Sequence, residues 1–88
     1  MRKILVVDDD DRLRALLAEY LGERGFAVEA VADGEAGLER VKTDHFDLVV
    51  LDVMLPGRDG FQVCREIRTH SMVPVLMLTA RGDETDRI

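Results

Sequence analysis

Apolar and polar positions along this chain follow two rhythms. The first is short, apolar and rich in β-branched residues: Ile4-Leu5-Val6-Val7, Leu48-Val49-Val50-Leu51 and Val75-Leu76-Met77-Leu78. None of these runs shows period-two alternation. A strand that is apolar on both faces is covered on both faces, which predicts a parallel sheet with helices on each side. A further, weaker strand is expected over Ala27 to Val31. The second rhythm is helical. Leu13, Leu16, Leu17, Tyr20 and Leu21 fall at i, i+3, i+4, i+7 and i+8 and predict one inward stripe. Arg12, Arg14, Glu19 and Glu23 take the other side, and Gly22 and Gly25 flank the helix end. A second helix is expected from an Asp33 N-cap to about Lys42, although Gly37 lies inside it. A third is expected from Asp59-Gly60, carrying Phe61, Cys64 and Ile67 inward, and a fourth from about Asp83-Glu84.

The resulting order, β-α-β-α-β-α-β and the start of another helix, predicts right-handed crossovers and an α/β, doubly wound parallel sheet. In such sheets ligands bind outside the carboxyl ends of the strands. The residues there are acidic. Asp8-Asp9-Asp10-Asp11 follows the first strand, Asp52 closes the apolar stretch Phe46 to Leu51, and Thr79-Ala80 follows the last run. Clustered carboxylates repel, and burial raises their pKa. A hard divalent cation with oxygen ligands offsets that cost, and Mg²⁺ takes one or two protein carboxylates plus water and phosphate oxygens. Each element also has a plainer reading. Four acids after a strand suit a solvated turn and a helix N-cap, which is open for Asp10 and Asp11 in particular, and Thr79 taken alone suits a helix cap. An acid inside an apolar stretch, as at Asp52, points to chemistry or a partner charge.

Composition narrows the function further. The 88 residues carry 12 Lys+Arg against 18 Asp+Glu, a formal net charge of −6. With no basic run, direct nucleic-acid binding by this chain is not expected. One cysteine, Cys64, excludes an internal disulfide and a Cys-based zinc site. No apolar run reaches the roughly 18 residues of a membrane span, and the short N-terminal apolar run ends in acid, unlike a signal peptide. These features predict a soluble, cytoplasmic single domain. His45 and His70 have no partner at metal-ligand spacing and are expected on the solvated surface, while Cys64 is expected to be a buried, inert thiol.

Three segments together resemble the receiver domain of two-component response regulators: Ile4 to Asp9, Asp47 to Gly60 (DLVVLDVMLPGRDG) and Pro74 to Ala80 (PVLMLTA). Their order and separation are specific. The stretch Leu78 to Asp86 is most similar to the transcription-factor branch with a winged-helix DNA-binding output. The resemblance implies a flavodoxin-like fold with strand order 2-1-3-4-5. It implies that Asp52 is the phosphoacceptor, that Asp8 and Asp9 hold Mg²⁺ with Asp52 and the Met54 backbone carbonyl, and that Thr79 contacts the phosphoryl group and switches. It implies a sensor histidine kinase as phosphodonor and an output domain beyond residue 88. The chain is then not an enzyme on an external substrate, but a phosphoacceptor that assists its own phosphorylation and dephosphorylation. Phosphoryl transfer needs positioning and charge neutralisation and little else, which agrees with the acidic edge read above. Pro56 and Gly57 suit a tight turn leading out of that edge.

The family pattern extends further than these residues. Its fifth strand and helix, the Lys after that strand and the aromatic switch residue find no counterpart in residues 1–88, so the receiver domain is expected to be incomplete at its C-terminus. Lys3 and Lys42 lie in the wrong places to substitute. The last apolar run would then form a sheet edge, which invites pairing into a dimer or swapped oligomer. Two other readings stand beside this one. A phosphorylation-independent interaction module would keep the fold without the chemistry. A Mg²⁺-dependent aspartyl phosphatase would need an acid two residues after the nucleophile, where this chain has Met54.

Overall fold

The computed structural model describes residues 2–55 and 57–78. The elements run β1 (Lys3–Val7), α1 (Asp11–Glu23), β2 (Ala27–Val31), α2 (Gly34–Thr43), β3 (Leu48–Asp52), β4 (Met54–Leu55), β5 (Arg58–Asp59), α3 (Gly60–Arg68) and β6 (Val75–Leu78). The main sheet has the order β2-β1-β3-β6 and every neighbouring pair is parallel. This is the expected 2-1-3-4 order, with β6 as the fourth long strand. The expected fourth helix near Asp83 and the loop Arg81-Gly82-Asp83 lie outside the described residues.

The strands form where β-branched and apolar side chains can be buried on both sides. One face packs Leu5, Val7, Val49 and Leu51 against Val41 of α2 and Val63 and Ile67 of α3. The other packs Ile4, Val6 and Val50 against Leu17 and Leu21 of α1. Each helix starts on an aspartate: Asp10, Asp33 and Asp59 accept backbone N–H groups of the first turns of α1, α2 and α3. Gly37 does not break α2. A Cβ there would stand 2.8 Å from Val7 Cγ2, so glycine lets the helix lie close on the sheet.

Several side-chain expectations are corrected. Leu16 and Tyr20, placed in the inward stripe of α1, are 57% and 53% exposed. The half-buried leucines are Leu13, Leu17 and Leu21, spaced four apart, and Leu16 and Tyr20 lie to one side of their stripe, about 100° and about 60° from its centre. Phe61 is likewise exposed, because Val63 and Ile67 occupy the core-facing side of α3 and Phe61 points nearly opposite to Val63. Cys64 is half-buried against the core rather than enclosed. The hairpin β4–β5 is an addition to the expected elements. It pairs Met54 with Asp59 and Leu55 with Arg58, too few residues to leave a periodic signal in the sequence. Among the described residues β6 is an edge strand, and its Leu76 is 52% exposed.

Candidate functional site

Parallel strands of one sheet end on one side, and here that side is acidic. Asp8 follows β1 immediately, Asp52 is the last residue of β3, and β6 ends at Leu78 in register with Asp52. Asp8 is held by its backbone and side chain together. Its N–H donates to the Val31 carbonyl at 3.1 Å, its Oδ1 accepts the Asp10 N–H at 2.9 Å, and its carbonyl accepts Arg14 Nη1 at 2.8 Å. Asp52 Oδ1 accepts the Met54 N–H at 3.1 Å. Asp8 and Asp52 are buried, at 4% and 7% exposure, while Asp9 is exposed. Carboxylate oxygens of Asp8, Asp9 and Asp52 all lie within 4.8 Å of one another.

The run of four acids therefore divides. Asp8 and Asp9 join the cluster with Asp52. Asp10 caps α1, and Asp11 in its first turn pairs with Arg14. Among the described residues no cationic side chain forms a salt bridge with Asp8, Asp9 or Asp52. Burial pushes the Asp52 carboxyl above its ordinary range, the Met54 N–H works against that, and the charges of Asp8 and Asp9 raise it further. Buried like charges left unpaired are costly, and a bound cation removes that cost. An all-oxygen donor set of this span suits a hard divalent ion such as Mg²⁺.

Residues 4–88 match the pattern of the family described as response regulator receiver domain. The chain belongs to that family. The transcriptional regulatory protein TcrA of Mycobacterium tuberculosis is 54% identical over 87 residues, which cover 98% of this chain and 34% of that protein. This receiver domain thus spans about a third of the length of that curated relative. The crystal structure of response regulator protein TrrA from Thermotoga maritima in complex with Mg(2+)-BeF is similar at a TM-score of 0.87 and 38% identity, covering 93% of this chain and 72% of that one. A crystal structure of histidine kinase ThkA in complex with TrrA contains a chain similar at a TM-score of 0.88 and 36% identity, covering 100% of this chain and 77% of that one.

The surroundings of the acidic cluster are set by close backbone packing. Gly60 starts α3, and its N–H donates to the Val53 carbonyl at 2.9 Å. A Cβ at Gly60 would collide with the Asp52 carbonyl oxygen and stand 2.7 Å from Val53 Cα. Only glycine lets α3 approach the end of β3 this closely. Gly57, with φ at 71°, adopts the left-handed conformation expected of the turn between β4 and β5, while Pro56 lies outside the described residues. The Met54 side chain is exposed, so the residue meets the receiver site through its backbone. An open cleft beside the cluster is lined by Asp9, Val53, Met54, Leu55, Arg58 and Asp59.

Of the site residues expected from sequence, the fold brings Asp8, Asp9, Asp52 and Met54 together, and Thr79 lies outside the described residues. His45 and His70 are exposed, as expected. Lys3 pairs with Asp44, which precedes β3, at the end of the sheet opposite the cluster. Sequence reasoning missed Arg14 and Arg58. The helical pattern puts Arg14 on the solvated side of α1, yet it reaches back to the Asp8 carbonyl. Its position four residues after the N-cap, within one turn of the acidic loop, was the available signal. For Arg58 only the turn before it was visible.

Proposed function

We propose that Asp52 is the phosphoryl acceptor of a two-component signalling pathway and that Asp8 and Asp9, with Asp52 and the Met54 carbonyl, hold Mg²⁺. The observation that carries this reading is the buried Asp52 carboxylate, within 4.8 Å of Asp8 and Asp9 oxygens and without a cationic partner among the described residues. A structural ion pair would need such a partner. In the reaction an Asp52 carboxylate oxygen forms a bond to phosphorus, and the bond from phosphorus to the donor breaks with its electron pair leaving on the donor. When bound, Mg²⁺ supplies positive charge that offsets repulsion between the carboxylate and the incoming phosphoryl oxygens. The chain's own contribution is positional. The strand end aims Asp52, the Met54 N–H holds one of its oxygens, and Asp8 is fixed by three hydrogen bonds.

A histidine kinase is the natural donor, in line with the ThkA–TrrA complex. Thr79, the next residue after Leu78, is the hydroxyl proposed to contact the phosphoryl group. The output is a further domain controlling transcription, in line with TcrA. The chain acts in the cytoplasm as a phosphoacceptor and not as an enzyme on external substrates; no described helix is long and apolar enough to cross a membrane. Pairing of β6 with a further strand, from this chain or a second copy, would cover Leu76. Intact mass after incubation with Mg²⁺ and acetyl phosphate tests the central claim. One added phosphoryl group, absent in Asp52→Asn, is the expected result. Incorporation that survives in the variant assigns the chemistry elsewhere, and no incorporation under conditions where the chain is folded favours an interaction module.

A further inference from the structure

We propose that Arg58 is a positioning residue for the acidic site, clamping the β4–β5 hairpin to α2 and α3 so that the Met54 backbone stays aligned with Asp52. This rests on the phosphoacceptor reading above.

The hairpin consists of two residue pairs, Met54 with Asp59 and Leu55 with Arg58. A two-stranded hairpin is marginal by itself, so something outside it must hold it. Leu55 is buried in the core and Asp59 caps α3, and both anchor the hairpin from below. Arg58 anchors it sideways to two helices at once. Its Nη1 pairs with Glu35 in the first turn of α2, and its Nη2 lies 2.6 Å from Glu66 Oε1 in α3. The Arg58 side chain is 19% exposed, far below its Glu35 partner. Its stem passes Gly34, where a Cβ would lie 3.8 Å from Arg58 Cγ. The guanidinium thus bridges α2, the hairpin and α3.

Ion pairs with a solvated partner contribute little to global stability. What a planar fork does supply is direction, because two donors fixed in one plane set two partners at once. The position it sets matters here. Met54 is the hairpin residue next to Leu55, the pairing partner of Arg58, and its N–H donates to Asp52 Oδ1 at 3.1 Å, near the long end of the hydrogen-bond range. A small outward swing of the hairpin breaks that bond and moves the Met54 carbonyl with it. Arg58 also lines the open cleft beside Asp9, so its loss alters the approach to the site.

The test compares wild type, Arg58→Ala, Arg58→Lys and the double variant Glu35→Ala/Glu66→Ala. The Met54 amide resonance is followed in the metal-free chain, and Mg²⁺ affinity by titration with MgCl₂. In Arg58→Ala the Met54 amide is expected to shift and Mg²⁺ to bind about tenfold more weakly, the scale on which outer partners of metal ligands act. Lysine, a point charge that cannot fork, should restore part of the affinity. The double Ala variant, which retains Arg58 and leaves its fork no acceptor on either helix, should behave as Arg58→Ala does, and it decides the question should Arg58→Ala fail to fold. An unshifted Met54 amide with Mg²⁺ affinity within about twofold of wild type overturns the clamp. If wild type itself takes neither Mg²⁺ nor phosphate, the site reading fails, while the amide shift in the metal-free chain still decides the role of Arg58.

Discussion

Replacing Asp52 by Asn should stabilise the metal-free protein while abolishing its chemistry. Asp52 faces two other carboxylates, with oxygens within 4.8 Å. Two unit charges at about that distance repel by about 3.5 kcal/mol at an effective dielectric near 20, and by about 0.9 kcal/mol in bulk water. Two such pairs end with the substitution, for a gross relief of about 2–7 kcal/mol. Asn keeps an oxygen to accept the Met54 N–H, so no buried donor is orphaned. Allowing for solvent around exposed Asp9 and for relaxation of the charged cluster, a net gain of about 1–3 kcal/mol is expected. In a domain of this size 1 kcal/mol moves the midpoint by about 4–8 °C.

The assay is thermal unfolding followed by circular dichroism in low salt with chelator, repeated with Mg²⁺. Wild type should gain about 1.4 kcal/mol at a Mg²⁺ concentration ten times the dissociation constant, and the variant less, so Mg²⁺ narrows the gap. The pH dependence has a definite sign. The folded-state pKa of Asp52 lies above its ordinary 3.8, so its favourable contribution is complete below that value and is lost as pH rises through the folded pKa. The advantage of Asn should therefore be absent in acid and open as pH rises. A variant that melts at or below wild type in chelator, or a gap that Mg²⁺ leaves unchanged, would refute the claim that Asp52 is held in an uncompensated acidic cluster.

Other consequences follow from the packing and the charges. Gly60→Ala drives a methyl group into the Asp52 carbonyl and the Val53 backbone, and should cost about 1–3 kcal/mol in urea unfolding while slowing phosphoryl uptake. Ile67→Ala removes a fully buried side chain and should cost about 2–5 kcal/mol, whereas Phe61→Ala on the same helix should cost about 1 kcal/mol or less; equal losses would contradict the assigned faces of α3. Asp44 is held down to about 2 by its hydrogen bond from Lys3, helped by the His45 N–H. Its contribution to stability is present above its ordinary 3.8 and is lost as pH falls towards 2, and NMR titration of Lys3→Ala should find the Asp44 carboxyl higher.

The long strands, their parallel order and the chain positions of Asp8, Asp9 and Asp52 were legible because each rests on local pattern. A run apolar on both faces needs cover on both faces, and alternation with helices leaves one handed topology. An acid that ends such a run is visible without coordinates. Side-chain facing was less legible. The expected stripe of α1 is wider than the buried one, since periodicity marks which residues can face inward and not how far the neighbouring sheet extends. That is why Leu16 and Tyr20 remain exposed. Phe61 differs for a related reason: the expected inward face joins it with Cys64 and Ile67, but Val63 and Ile67 define the angle at which α3 meets the core.

The sequence by itself determined the layers, the parallel strands and the acidic residues at the strand ends, because hydrophobic burial and the handedness of crossovers act on patterns within a few residues; the 2-1-3 strand order was implied only by the resemblance to receiver domains, and pairing between distant segments decides it. Tertiary structure decided which acids meet. Asp9 turns to Asp8 and Asp52, while Asp10 and Asp11 serve α1, a division that depends on where the backbone turns after β1. It also decided that Gly60 must lack a side chain and that Arg58 bridges two helices, 23 residues from Glu35 and 8 from Glu66. Such contacts join residues far apart in the chain, so their free energy exists only once the sheet has brought them together.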